Sequence, residues 1–190
     1  MRKIILSTPI TVDGFIEGPH RELDWVVADD ELHDFYTQLL LSGDLLLYGR
    51  VTYELMASYW PKANSDPRAT DSMKRFAETL NPMRKIVFSK TLESADWNTQ
   101  LIHSFVPEEI QAMKTQPGGN ILLSGGATMA QAFIKHGLVD EYQLVVQPVA
   151  IGEGKALFGG LAYMHKLDFQ WSRKFHSGAV VLCYRPDRKI

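Results

Sequence analysis

Short apolar runs that each end in a glycine or a small hydroxyl residue limit what this chain can fold into. Lys3 to Ile10 is β-branched and is bounded by Pro9 and by Asp13-Gly14. Asp44 to Tyr48 has the continuous centre Leu45-Leu46-Leu47 and closes at Gly49. Lys85 to Ser89, Ile121 to Leu123 and Glu141 to Pro148 complete the set. A continuous apolar run without alternation predicts a strand buried on both faces, as in a parallel sheet. Helical patterns fall between the runs. Asp29-Asp30-Glu31 places acids at the positive end of a helix dipole, and Leu32, Phe35, Tyr36, Leu39 and Leu40 follow at helical spacing.

A short helix with Tyr53, Met56 and Ala57 follows Gly49. Another carries Met73, Phe76, Ala77 and Leu80 and stops at Asn81-Pro82, because the residue before proline is pushed out of the helical region. Pro61 to Pro67 reads as a loop. Glu108 to Lys114 and Ala127 to Lys135 read as the last two helices, the latter closed by Gly137. Leu167 to Phe175 and Ala179 to Tyr184 flank Ser177-Gly178 and predict an antiparallel hairpin. Strands that alternate with helices point to an α/β fold with a mostly parallel sheet. No repeat or linker interrupts the pattern, so one domain over residues 1–190 is expected.

Charge and composition exclude several function classes. Lys and Arg total 20 against 22 Asp and Glu, a formal net charge of −2. That leaves no basic excess to neutralise a phosphate backbone, so nucleic acid is not an expected partner. No apolar run approaches the ~20 residues of a membrane helix, so no membrane partner is expected. Arg2-Lys3 before Ile4-Ile5-Leu6 resembles a signal start, but Ser7, Thr8 and Pro9 break it early. The single cysteine, Cys183, lies in an apolar strand pattern and reads as a core thiol. A cytoplasmic location follows as the simplest expectation. No two histidines stand three or four residues apart, so no helical metal pair is expected.

Ligands of open α/β sheets bind beyond the carboxyl ends of strands. Leu123-Ser124-Gly125-Gly126-Ala127-Thr128 runs from a strand directly into a helix. The glycines permit close approach, and the free amides of the helix start favour an anion such as a pyrophosphate. Tyr48-Gly49-Arg50-Val51-Thr52 repeats the pattern with a guanidinium and a hydroxyl. Phe88-Ser89-Lys90-Thr91 offers two hydroxyls and an ammonium, which suit a phosphate monoester. Thr11-Val12-Asp13-Gly14 supplies a polar turn after the first strand. A tight turn explains each segment alone. Their convergence on one sheet edge favours a dinucleotide.

Thr11 to Gly14, Gly49-Arg50-Val51-Thr52-Tyr53-Glu54, Val87-Phe88-Ser89 and Gly125-Gly126, in that order, resemble the dihydrofolate-reductase-like superfamily. Leu138-Val139-Asp140-Glu141-Tyr142, Pro148-Val149 and Gly152-Glu153-Gly154 resemble its riboflavin-biosynthesis branch, the RibD C-terminal domain family. The likeness runs from Arg2 to about Tyr184. It implies a three-layer fold of about eight strands, with an antiparallel C-terminal strand and helices on both faces. It also implies NADPH as cofactor. By similarity Gly49, Arg50 and Thr52 hold its phosphates, while Ser89 and Lys90, with Arg50, meet the adenosine 2′-phosphate. Gly125, Gly126, Ala127, Thr128 and Met129 would cradle the pyrophosphate. Asp13 and Gly14 would belong to a loop over the nicotinamide.

The chain departs from the riboflavin enzymes in carrying Ser124 where those have an acid before the glycine pair, and in lacking their D-D-P-x-L-T stretch. Folate-type reduction calls for an acid in the first helix. Asp29, Asp30, Glu31 and Asp34 all fall near that place, and Asp30 and Asp34 are taken as the catalytic candidates. The implied activity is NADPH-dependent reduction of a small heterocycle or ribosyl-amine. Substrates of the 5-amino-6-(5-phosphoribosylamino)uracil type or the dihydrofolate type fit that description. The alternative is a non-catalytic nucleotide- or pterin-binding module on the same fold, and a weaker one is an assembly protein with an empty cleft. Relatives of the riboflavin branch imply a homodimer.

Overall fold

The apolar runs form the interior of one continuous sheet. The computed structural model describes residues 1–187. In chain order the first elements are β1 (Ile4–Thr11), β2 (Phe15–Glu17), α1 (Asp30–Leu41), β3 (Gly43–Gly49) and α2 (Arg50–Tyr59). Then come α3 (Asp71–Leu80), β4 (Arg84–Phe88), β5 (Thr99–Ile102), α4 (Pro107–Thr115), β6 (Asn120–Leu123) and α5 (Ala127–Lys135). The chain continues through β7 (Glu141–Gln147), β8 (Lys155–Ala156), β9 (Leu167–Lys174) and β10 (Val180–Pro186). The main sheet has 8 strands in the order β5-β4-β3-β6-β1-β7-β10-β9. Strands β5 through β7 pair in parallel, and β10 and β9 close the sheet as an antiparallel hairpin.

Successive side chains of a strand point to opposite faces, so a run that is apolar throughout needs cover on both. Leu45, Leu47, Ile86, Phe88, Ile121 and Leu123 face Ile110 of α4 and Ala130, Phe133 and Ile134 of α5. Leu46, Tyr48, Val87 and Leu122 face Leu40 of α1, Tyr53 of α2 and Phe76 and Leu80 of α3. The result is the expected three-layer α/β fold. Full burial of one such aliphatic side chain contributes about 1.5–3 kcal/mol. Among the described residues, no helix is long and apolar enough to cross a membrane.

Three features depart from the sequence reading. The Pro61 to Pro67 stretch is not an open loop. Trp60–Ser65 winds into a 3-10 turn, with proline at a position where a missing N–H costs nothing. Strand β5 was not expected, because Thr99-Gln100-Leu101-Ile102 is a half-exposed edge with little apolar content. The two-stranded ribbon of β2 and β8 was not expected either. Its strands have 3 and 2 residues, and pairing across the chain rather than local pattern makes them strands.

The acids that open α1 have structural work. Asp29 caps the helix by accepting from the Leu32 N–H at 2.8 Å, and it also accepts from the Ser177 N–H at 3.0 Å. Glu31 accepts from Arg173 at 2.9 Å and from the His176 N–H at 3.2 Å, and His176 Nδ1 lies 2.9 Å from the same carboxylate. These bonds fasten the β9–β10 hairpin to α1. Arg173 first, and then His176, pull the Glu31 carboxyl from 4.5 down to about 2. A carboxyl depressed by folding contributes stability above its unfolded value and loses it as pH falls through the folded one. The Glu31 contribution is therefore complete above pH 4.5 and lost toward pH 2. The melting temperature of Glu31→Gln should fall less steeply than that of the wild type over this interval.

Lys85 begins β4 and is 1 % exposed. Its Nζ donates to the carbonyls of Leu80, Asn81 and Met83 at 3.0, 3.2 and 2.8 Å and lies 4.2 Å from the centroid of the Trp97 ring. The ammonium thus satisfies carbonyls at the end of α3 that have no partner within the helix. Lys85→Met keeps the volume and removes the donors. Urea unfolding should show a loss of about 2–3 kcal/mol from the lost charge-assisted bonds, although the Leu80 carbonyl still accepts from the Met83 N–H at 3.2 Å.

Candidate functional site

Parallel strands end at one edge, and the helices that follow them begin there. In β3, β6 and β4 the register places Leu47 beside Leu123 and Gly49 beside Phe88. The starts of α2 and α5 therefore face one cleft of about 330 Å³. Helices α1 and α3 begin at Asp29 and Thr70, whose side chains accept an amide hydrogen. Helices α2 and α5 begin at Gly49 and Gly126, which give no side-chain cap. No side chain of the cap residue takes up their first amides, although the Met129 N–H turns back to the Gly126 carbonyl at 3.0 Å, and both dipoles favour negative charge in the cleft.

Arg50 and Thr52 line the cleft from α2, and Ala127, Thr128 and Met129 line it from α5. The Arg50 guanidinium donates to Glu54 one turn on at 3.0 Å, so part of its charge is already engaged. Gly125 stands behind the lining. A Cβ there would come within 2.8 Å of the Met129 Cβ, so only glycine lets α5 start this close to β6.

The far wall comes from the ends of β4 and β5. Ser89, Lys90, His103 and Ser104 supply polar groups, and Phe88 and Phe105 supply apolar surface, to which Ala132 of α5 adds. The Ser89 Oγ accepts from the Thr91 N–H at 3.2 Å and the Leu92 N–H at 2.9 Å, which leaves its own hydrogen to donate outward. Thr91 thus supports the wall rather than lining it. His103 Nδ1 lies 2.9 Å from the Ser89 carbonyl oxygen.

The β2–β8 ribbon and the residues beside it bring Glu17, Arg21 and Lys155 to the cleft. Lys155 donates to Thr128 at 2.7 Å, joining ribbon to α5. Gly154 has φ +151, and a Cβ there would overlap the Glu17 carbonyl oxygen, so glycine alone allows the two strands to meet. Asp13 and Gly14 lie at the base of this ribbon and do not line the cleft. The Asp13 carboxylate accepts from Thr11 at 2.6 Å and from the N–H groups of Ile151 and Gly152 at 3.1 and 2.8 Å. Those bonds, the Thr11 hydroxyl first, hold its carboxyl below the usual carboxylate range.

The carboxylates expected to be catalytic lie elsewhere. Asp30 accepts from the hydroxyls of Ser72 and Thr70, the latter at 2.6 Å. These bonds, Ser72 first, lower its carboxyl below the ordinary value. A carboxylate held as an anion by two hydroxyls is poorly suited to release a proton. Asp34 pairs with Arg75 at 2.7 Å. Both acids bind α1 to α3, and neither lines the cleft.

The structure therefore brings Gly49, Arg50, Thr52, Ser89, Lys90, Gly126, Ala127, Thr128 and Met129 together. It adds Glu17, Arg21, His103, Ser104, Phe105 and Lys155, which sequence reasoning missed. The Gly152-Glu153-Gly154 turn just before Lys155 was the one available signal. Chemically, the cleft fits an elongated anion that carries a flat apolar group. Its helix amides and cations suit phosphates, and Phe88 and Phe105 suit a ring.

The family model of the RibD C-terminal domain matches residues 2–181. The chain belongs to that family. The uncharacterized protein YyaP of Bacillus subtilis (strain 168) is 39% identical over 183 residues, covering 96% of this chain and 94% of YyaP. A putative riboflavin biosynthesis protein from Shewanella sp. PV-4 has a TM-score of 0.74 at 19% identity, covering 98% of this chain and 99% of that one. Dihydrofolate reductase from Enterococcus faecalis, solved with NADP(H) and RAB-propyl, has a TM-score of 0.65 at 15% identity, covering 97% and 96%. These structures share the dihydrofolate-reductase-like fold.

If Asp30 is a strut of the α1–α3 seam, Asp30→Asn should lower the melting temperature by several degrees, the loss expected from about 1–2 kcal/mol of weakened hydrogen bonding. Ligand affinity at the cleft, read by calorimetry, should stay within about twofold of the wild type.

Proposed function

We propose that the protein is an NADPH-dependent oxidoreductase that reduces a small heterocycle or a ribosyl-amine. The two uncapped helix starts, Gly49 and Gly126, aimed into one cleft carry this reading. The bound state of the E. faecalis neighbour agrees with it. When bound, the cofactor supplies the hydride. The chain supplies binding and orientation. The amides from Gly126 to Thr128 and the start of α2 hold the pyrophosphate. Ser89, Lys90 and Arg50 meet the 2′-phosphate, whose charge is what distinguishes NADPH from NADH. Phe88 and Phe105 give the adenine an apolar wall, and Lys155 of the β2–β8 ribbon adds a cation to the cleft. In this reading residues 1–190 act as one domain in a cytoplasmic homodimer, with Phe169 and Trp171 of the edge strand β9 exposed for the second copy.

One observation favours a second reading. Asp30 and Asp34 are absorbed in the α1–α3 seam, and a binding module without turnover needs no proton donor. The two readings separate when NADPH oxidation is followed across pterins, aminopyrimidines and ribosylamino-uracils. Binding without oxidation of any would support the module.

The cofactor itself is tested by matched calorimetric titrations with NADPH and NADH at fixed salt. NADPH should bind more tightly. Arg50→Ala should lose roughly 10- to 100-fold in NADPH affinity, the size of one charge-assisted contact, with little change for NADH. Equal losses for the two would remove the 2′-phosphate role, and no binding of either would overturn the cofactor assignment.

A further inference from the structure

We infer that His103 is a specificity-determining residue of the cleft, a proton-controlled donor to a phosphate monoester bound at the β4–β5 end. The inference rests on the cofactor reading above and goes further, because it names the residue that makes phosphate recognition depend on pH.

The placement comes from the sheet. Phe88 pairs with Ile102 in parallel register, so Ser89 and His103 leave the sheet side by side. His103 Nδ1 sits 2.9 Å from the Ser89 carbonyl oxygen. A carbonyl oxygen only accepts, so Nδ1 carries the hydrogen whether the ring is neutral or charged. The variable position is Nε2. In the neutral ring it is a lone pair, which offers a phosphate dianion nothing. In the cation it is an N–H with charge behind it, the stronger class of hydrogen bond to phosphate. His103 lines the same wall as Lys90, Ser89 and Ser104, which makes one monoester pocket of their donors.

Lys90 lines the cleft beside His103, and Arg50 lines it from α2 while paired with Glu54. Glu108 and Glu109 open α4 just beyond. Across the cleft stand Arg21, Lys155 and Glu17, and His136 of the α5 end meets Phe105 at 5.6 Å between ring centroids. A phosphate dianion bound at this wall favours the charged ring, because only that form donates from Nε2. Histidine changes charge between about pH 5 and 8, and a monoester gains its second charge near pH 6. Phosphate binding and proton uptake by His103 are therefore coupled above pH 6. An analogue without the 2′-phosphate lacks that coupling.

The test is calorimetric titration of NADPH and NADH from pH 6.5 to 8.5 with wild type, His103→Asn and His103→Arg, each first shown to be folded by its melting curve. Asn keeps a donor near the Nδ1 position and removes Nε2. Arg places a permanent cation there. The wild-type preference for NADPH should fall roughly tenfold from pH 6.5 to 8.5. This is opposite in sign to the effect of the ligand's own ionisation, which favours binding as pH rises. His103→Asn should show the lower preference throughout, without that fall, and His103→Arg should keep the high preference at pH 8.5. A folded His103→Asn with the wild-type preference and the wild-type pH slope overturns the inference while leaving the cofactor reading intact. Failure of the wild type to bind either nucleotide overturns both.

Discussion

Parallel pairing of β3 with β6 is the constraint on which the site depends. Leu45, Leu46 and Leu47 lie beside Ile121, Leu122 and Leu123, so the two strands end at the same level. Gly49 and Gly125-Gly126 follow those ends, and both helices must therefore begin at one place. An antiparallel pairing of the same two runs would send the helix starts to opposite edges. Pairing of β4 with β3, and of β5 with β4, extends the same edge and adds Ser89 and His103. The convergence of two helix starts on the cleft, which favours negative charge there, is thus a consequence of strand direction before any side chain is considered.

Local charge matters more than the total. The chain carries a formal net charge of −2, which argues against a polyanion partner. Yet Arg21, Arg50, Lys90 and Lys155 surround one cleft, with Glu17 as the acid among the lining residues. Such clustering favours a small anionic ligand held within the cleft over a polyanion spread across the surface, because the field is strong only where the cations converge. The acids are used elsewhere. Asp29 and Glu31 hold the C-terminal hairpin to α1, and Asp30 and Asp34 hold α3 to it.

The sheet interior was legible because burial on both faces leaves a pattern without alternation. The runs around Leu45 to Leu47 and Ile121 to Leu123 are strands as expected, and so is the hairpin at Ser177-Gly178. Segments stabilised by distant partners were not legible. Strand β5 is a half-exposed edge, and missing it hid His103, Ser104 and Phe105. Strands β2 and β8 exist only as each other's partners, and missing them hid Glu17, Arg21 and Lys155.

By itself the sequence determined the fold class, the parallel core and the glycine-ended strands that mark the cleft, because these are local patterns of polarity and backbone freedom. It also placed acids at the start of α1, but could not say what they meet. Only the tertiary structure decided that Ser72, Thr70 and Arg75 would take up Asp30 and Asp34, and that Glu17 of β2 and Lys155 of β8 would line the cleft. The partners of a carboxylate or a two-residue strand lie tens of residues away, and chain packing alone brings them within hydrogen-bond reach.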